Sequence, residues 1–274
     1  MNSKIDPTPS SSQGRRLAGA LALIALTTFI TGRASAQTQA PTKEKAPAKE
    51  KEKARAESTT EPAPRAGAWS KVHEKYLERA KQGGIDLLFL GDSITAGWNG
   101  KDKEGQGPRQ VWDRYYEPRK AANFGIGGDR TQHVLWRLEN GEVDGIKPRV
   151  VVLMIGTNNI HANTPAEIAD GITAVVKTLR EKLPETKVLL LAVFPRGEDP
   201  GPVRERIKDV NERIRKLDNG GKTVRYLDIG DRFLDADGTI SREIMPDFLH
   251  LRRKGYALWA DAIEPVLRSM LEGD

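Results

Sequence analysis

A chain of 274 residues without cysteine has no disulfide framework, thiol nucleophile, cysteine-ligated metal or lipoprotein anchor available to it. Its net charge of +6 overstates the basicity of the folding part, because residues 1–36 carry +3 and residues 37–66 carry +2, leaving +1 for residues 67–274. A nearly neutral domain lacks the electrostatic footprint of a nucleic-acid binder.

Residues 1–36 read as a secretory signal: a polar start, the pair Arg15-Arg16, an apolar stretch over 17–30, and the small-x-small pattern Ala34-Ser35-Ala36. The apolar stretch is shorter than the ~20 residues that span a bilayer. Export to the periplasm or exterior with cleavage after Ala36 is therefore expected, leaving no stable membrane span. Retention as an uncleaved anchor is the alternative, and the paired arginines also fit twin-arginine export. Residues 37–66, "QTQAPTKEKAPAKEKEKARAESTTEPAPRA", contain no large apolar side chain. Such a segment cannot bury enough surface to offset its ordering entropy, and it reads as a disordered, extended tether. The remaining residues, 67–274, suit a single α/β domain.

Within that domain, strands are expected at 86–90, 121–124, 150–155, 188–194 and 224–229. Runs such as "VVVLMI" and "VLLLAVF" are continuously apolar, as strands are when helices cover both faces of a parallel sheet. A helix is expected before the first strand, and further helices over "TQHVLWRLEN", "TPAEIADGITAVVKTLREKL", "GPVRERIKDVNERIRKL" and "RKGYALWADAIEPVLRSMLE". In the second of these, Thr164 stands as N-cap, Pro165 at N1 and Glu167 at N3, close to a capping box. Pro265 in the last predicts a kink or a break. No internal repeat is found. Short connections and right-handed crossovers then give a three-layer α/β/α sandwich on a five-stranded parallel sheet, whose site belongs at the carboxyl edge of the strands.

That edge carries three loops rich in glycine and amides: Gly91-Asp92-Ser93, "NFGIGGD" from Asn123 to Asp129, and Gly156-Thr157-Asn158-Asn159. Glycines allow close backbone approach, so the loops can present N–H groups to developing negative charge. "GIGGDR" is a poor dinucleotide fingerprint, since Arg130 stands where a small residue belongs and the motif follows the second strand rather than the first. No Walker lysine pattern is present.

If Ser93 is a nucleophile it needs a base, and there are four histidines. His73 lies on the amphipathic pattern before the first strand and is placed at the surface. His133 has neighbours that suggest helix packing. His161 follows the third strand, where it could line a pocket. His250 stands three residues after Asp247 in "MPDFLHL", a spacing that lets the carboxylate hold one ring nitrogen and leave the other for the serine hydroxyl. In this division of labour Ser93, Asp247 and His250 are catalytic. The backbone N–H groups of Ser93 and Gly128 and the side-chain amide of Asn158 receive the oxyanion. Asn159, Thr157 and Asp129 shape the loops.

"GDSIT", "NFGIGGD", "GTNN" and "DFLH" stand in the order of the four blocks of the GDSL/SGNH hydrolases, and the chain resembles that superfamily. Longer stretches, "NFGIGGDRTQHVLWRLENGEVDGIKPRVVVLMIGTNN", "PRGEDP" and "GTISREIMPDFLHL", look like the catalytic subunits of intracellular platelet-activating-factor acetylhydrolase. The resemblance implies a flavodoxin-like sandwich, a serine esterase needing no metal or cofactor, and the same roles for Ser93, Gly128, Asn158, Asp247 and His250. It also implies a homodimer. Two departures stand out: Ile94 replaces the family's usual leucine, and "GWNGKDKEGQGPRQ" is longer than in those relatives, which bears on acyl and alcohol preference. The leader and tether are foreign to the intracellular enzymes. The expectation is an exported esterase that removes a short acyl group, acetyl foremost, from a lipid or carbohydrate. A catalytically silent binding or scaffold domain of the same fold is the alternative.

Overall fold

The computed structural model describes residues 57–100 and 107–272. The leader read over 1–36, and the tether as far as residue 56, lie outside the described residues. The helix before the sheet is α1 (Ala68–Lys81). It is followed by β1 (Leu87–Gly91), a single turn α2 (Ser93–Ala96), α3 (Gly107–Tyr115), β2 (Ala121–Gly125) and α4 (Thr131–Glu139). The second half contains β3 (Val150–Met154), α5 (Pro165–Lys182), β4 (Lys187–Leu191), α6 (Pro202–Ile214), β5 (Val224–Leu227) and α7 (Arg253–Glu272).

All five strands pair in parallel, in the order β2-β1-β3-β4-β5. Every residue of β1 and β3 is buried, as continuous apolar runs require when both faces are covered. Alternate side chains divide between two cores. Leu88, Leu90, Val151, Leu153 and Leu190 face α4, α5 and α6, together with the end of α1. Leu87, Phe89, Val152, Met154 and Leu191 face α3 and α7. The second core is aromatic: Phe89 lies 5.1 Å from Trp112 and 4.6 Å from Tyr116, centroid to centroid. The result is the three-layer α/β/α sandwich, with helices on both sides of one sheet.

Several local expectations meet a different outcome. β4 ends at Leu191 rather than Phe194 because the side-chain amide of Asn211 takes over the backbone, accepting from Val193 N–H at 2.8 Å and donating to its carbonyl at 3.0 Å. α7 runs through Pro265 without a break. Pro265 is exposed, so the carbonyl it leaves unpaired faces water, while Trp259, Ile263 and Leu267 bury the helix on either side of it. The helix α3 was not foreseen. It is anchored by only two buried large side chains, Val111 and Trp112. Of the longer segment over Ser93, residues 101–106 lie outside the described residues. His73 is not a surface residue: it is buried, with Nδ1 2.7 Å from Glu142 Oε2.

The largest correction concerns residues 57–66, read from composition as disordered tether. They lie along the domain and are fixed by polar contacts rather than apolar ones. Thr59 is buried, its hydroxyl donates to Glu167 O at 2.6 Å, and its carbonyl accepts from Thr131 Oγ1 at 2.8 Å. Burial of backbone polar groups demands such partners, and hydropathy does not register them.

Candidate active site

The site forms where strand order reverses, between β1 and β3, at their carboxyl ends. β1 delivers Asp92 and Ser93. Asp92 caps α2, with Oδ1 accepting from Ile94 N–H at 2.9 Å. The turn is fastened from two sides: Asn123 Nδ2 donates to Thr95 O at 2.9 Å, and Tyr256 OH donates to Ile94 O at 2.6 Å. β2 approaches so closely that a Cβ on Gly125 would stand 2.2 Å from Ala96 N, which is why glycine is required there.

Asp247 and His250 come from the loop before α7. Asp247 Oδ1 accepts from the backbone N–H of His250 at 2.8 Å and of Leu249 at 3.2 Å, while Oδ2 lies 2.7 Å from His250 Nδ1. Between them Phe248 adopts φ of 56°, a left-handed conformation costly for an aromatic residue. Gly197 N–H donates to Phe248 O at 2.9 Å and the Arg242 guanidinium lies 4.4 Å over its ring, holding the turn. The other ring nitrogen, His250 Nε2, lies 2.9 Å from Ser93 Oγ. Burial acts to raise the pKa of Asp247, but the hydrogen bonds from the His250 ring and backbone outweigh it and hold the carboxyl below its ordinary value. Among the candidate bases, His161 is exposed. His133 accepts from Arg130 N–H through Nδ1 at 2.9 Å and is held neutral, its pKa pushed down to about 4 chiefly by burial and by the Arg65 charge.

The two remaining loops meet each other beside Ser93. A Cβ on Gly127 would lie 4.0 Å from Ser93 Cβ, so the Gly127-Gly128 segment abuts the serine. Asn158 Nδ2 donates to Asp129 O at 2.9 Å, which ties the third loop to the second and leaves its second amide hydrogen to serve elsewhere. Asn159 is buried and shapes the loops, accepting from Thr131 N–H at 3.1 Å and donating to Gln132 and Asn163. Behind them Asp129 is buried with Oδ2 3.0 Å from Arg137 Nε, and Oδ1 accepts from Trp69 Nε1 at 2.7 Å. Arg137 also donates to Phe124 O at 2.8 Å and Gly91 O at 3.3 Å, the last turns of β2 and β1.

Two cations escaped the reading of the sequence. Arg65 fell inside the presumed tether. Arg196, in "PRGEDP" just after β4, is half-buried beside the site, with NH1 3.3 Å from both Thr157 O and Thr157 Oγ1. Burial lowers its pKa against the opposing pull of Asp92 and Asp247. The signals for Arg196 were its place at a carboxyl strand end and its position in "PRGEDP", one of the stretches that carry the family resemblance.

A cavity of about 560 Å³ lies against α6 and β5, lined by Val193, Arg204, Tyr226 and Asp228 among others, and shares no residue with the Ser93–His250 pair. The position of the chemistry therefore rests on side-chain geometry. Among the described residues there is no cluster of three or more His, Asp or Glu arranged to hold a metal, and no helix long and apolar enough to cross a membrane.

Residues 89–258 match the model of the GDSL-like Lipase/Acylhydrolase family. The chain belongs to that family. It is 38% identical over 208 residues to platelet-activating factor acetylhydrolase IB subunit alpha1 of Homo sapiens, covering 76% of this chain and 86% of that protein. Its fold is that of a GDSL-like lipase from Bacteroides thetaiotaomicron (TM-score 0.57, 17% identity, 72% and 97% of the two chains). It is likewise that of a carbohydrate acetylesterase from Sinorhizobium meliloti (TM-score 0.52, 21% identity, 68% and 98%). This GDSL acylhydrolase is thus a hydrolase of ester bonds.

One residue of the motif has a measurable pH signature. Burial, helped by the Asp129 charge, pushes the Asp92 carboxyl up to about 7, against the pull of Ile94 N–H, Arg196 and Arg137. In the unfolded chain this group ionises in the ordinary range near ~4. Between those values the folded state holds the extra proton, so stability falls as pH rises from about 4 to about 7. Asp92→Asn keeps the acceptor for Ile94 and cannot ionise. Its melting temperature relative to wild type is expected to rise from pH 4.5 to pH 8 by thermal scanning; parallel melting curves would refute the assignment.

Proposed function

We propose that this GDSL acylhydrolase is an exported serine esterase that removes acetyl groups from a lipid or carbohydrate through an acyl-enzyme on Ser93. The observation that carries this reading is the chain Asp247 Oδ2–His250–Ser93 Oγ, with spacings of 2.7 and 2.9 Å. His250 Nε2 takes the Ser93 proton as Oγ attacks the ester carbonyl carbon. The new oxyanion is received by the N–H groups of Ser93 and Gly128 and by the free amide hydrogen of Asn158. His250 returns the proton to the departing alcohol, and a water, deprotonated by the same ring, releases the acid. Asp247 holds the tautomer and the positive charge that forms on the ring.

The acetyl preference is supported by the relatives, one named for acetyl removal from platelet-activating factor and one for acetyl removal from carbohydrate. Export is supported by the leader pattern. A panel of p-nitrophenyl esters, followed by acetate release from acetylated phospholipid and acetylated xylan, tests the whole reading. Turnover is expected to be highest on the acetyl ester and to discriminate between the two natural classes. No turnover above that of Ser93→Ala on any chain length would sink esterase chemistry and favour a silent binding domain.

A further inference from the structure

Arg65 belongs to the segment 57–66 that composition assigns to the tether, and its side chain reaches the loop beside Ser93. NH1 donates to Gly127 O at 2.7 Å and lies 3.2 Å from Asp129 Oδ1. The guanidinium backs directly onto the next residue, since a Cβ on Gly128 would stand 3.1 Å from NH2. The carbonyl of Gly127 and the N–H of Gly128 are the two edges of one planar peptide. In a trans unit they point in opposite directions. A donor fixed on the carbonyl edge therefore sets the direction of the N–H edge, which is the group proposed above to receive the oxyanion.

A peptide between two glycines is the one most easily rotated, because neither side has a Cβ to restrict φ and ψ. Rotation by half a turn would present a carbonyl to the oxyanion in place of an N–H, replacing attraction by repulsion. Arg65 opposes that rotation with a charge-assisted hydrogen bond and polarises the peptide, which makes its N–H a stronger donor.

The segment that carries Arg65 is seated on the same machinery. Glu57 O accepts from Asn163 Nδ2 at 3.1 Å, Glu57 Oε2 accepts from Gln132 Nε2 at 3.0 Å, and Ala63 N–H donates to Gln132 O at 3.1 Å. Its path past α5 is open only because residue 171 is glycine: a Cβ there would lie 2.8 Å from Thr59 O and 2.5 Å from Thr131 Oγ1. The strap thus spans from the Asn159–Asn163 turn to the Gly127-Gly128 peptide.

We infer that Arg65 is a positioning residue of the esterase, holding the Gly127–Gly128 peptide so that its N–H faces the oxyanion. The inference rests on the serine-esterase reading, and its test separates the two. In the full chain, Arg65→Ala is expected to lower kcat on p-nitrophenyl acetate by about 10–100-fold with KM changed less than about 3-fold. That stays below the ~10²–10³ seen when a whole oxyanion donor is lost. Arg65→Lys, which keeps a charged donor but cannot bridge both acceptors, is expected to recover part of kcat at an unchanged melting temperature. It carries the test if the alanine variant folds poorly. The Gly128 amide nitrogen resonance reports the hydrogen bond on the carbonyl edge of its own peptide, and it is expected to move upfield in Arg65→Ala, a readout independent of turnover. A kcat within 2-fold of wild type, a loss confined to KM, or an unchanged Gly128 resonance would overturn the inference. If wild type itself turns over no faster than Ser93→Ala, the esterase reading fails instead, and the Gly128 resonance alone decides the role of Arg65.

Discussion

Ser93→Ala is expected to lower kcat/KM on acetyl esters by about 10⁴–10⁶-fold, the range found when a triad nucleophile is removed from a preorganised site. The reason is chemical rather than structural. The Ser93 hydroxyl bonds to His250, while α2 is held through groups that alanine leaves intact: the Asp92 cap on Ile94 N–H and the Tyr256 bond to Ile94 O. The melting temperature should therefore stay near that of wild type. A fluorophosphonate probe should label wild type and not the variant. His250→Ala should fall in the same range, and its combination with Ser93→Ala should cost little more, because the two residues act as one unit. Labelling of Ser93→Ala, or additive losses in the double variant, would show that the 2.9 Å contact is not the reacting pair.

Arg137→Ala is expected to destabilise the fold by about 3–5 kcal/mol, the cost of breaking a buried ion pair by removing one partner. Arg137 is fully buried between two buried carboxylates, with Nε 3.0 Å from Asp129 Oδ2 and NH1 2.6 Å from Glu142 Oε1. It also satisfies the carbonyls of Gly91 and Phe124. Alanine would leave Asp129 with only Trp69 and Arg65 beside it and Glu142 with only His73, and would open a void where the aliphatic stem packs. Urea unfolding should show a lower midpoint at an unchanged m-value. The deficit has a direction in pH. Burial already holds Asp129 above the ordinary carboxylate range, against the pull of Arg137, Trp69 and Arg65. Without Arg137 its pKa rises further, so the variant binds the proton more tightly when folded and loses stability as pH increases. The gap to wild type should be smallest near pH 4 and widen toward neutrality. A deficit under 1 kcal/mol, or one that narrows with rising pH, would refute this account.

The strands were legible because a parallel sheet covered on both faces writes itself as unbroken apolar runs, as in "VVVLMI". The start of α5 was legible because its signals are local: Thr164 Oγ1 accepts from Glu167 N–H at 3.3 Å, and Glu167 Oε2 accepts from Thr164 N–H at 2.7 Å. The Asp247–His250 relation is also local, a matter of three residues and one turn. Features that depend on distant partners were not legible. His73 looks like one polar residue on an amphipathic helix, and its burial follows from a carboxylate 69 positions away. Residues 57–66 escaped for a related reason: hydropathy measures apolar burial, whereas these residues are held by carbonyls, amides and the single cation Arg65. Of the two outcomes expected at Pro265 the break does not occur, because a helix-breaking residue is tolerated where its neighbours pack well and its own side faces water.

The nucleophile and its base are contributed 157 positions apart, one at the end of the first strand and the other just before the last helix. Bringing the two together closes a loop of 157 positions in a chain of 274. Catalytic recovery after dilution from denaturant therefore counts only molecules in which the two ends of that loop have met, and a chromogenic ester reports long-range closure rather than local structure.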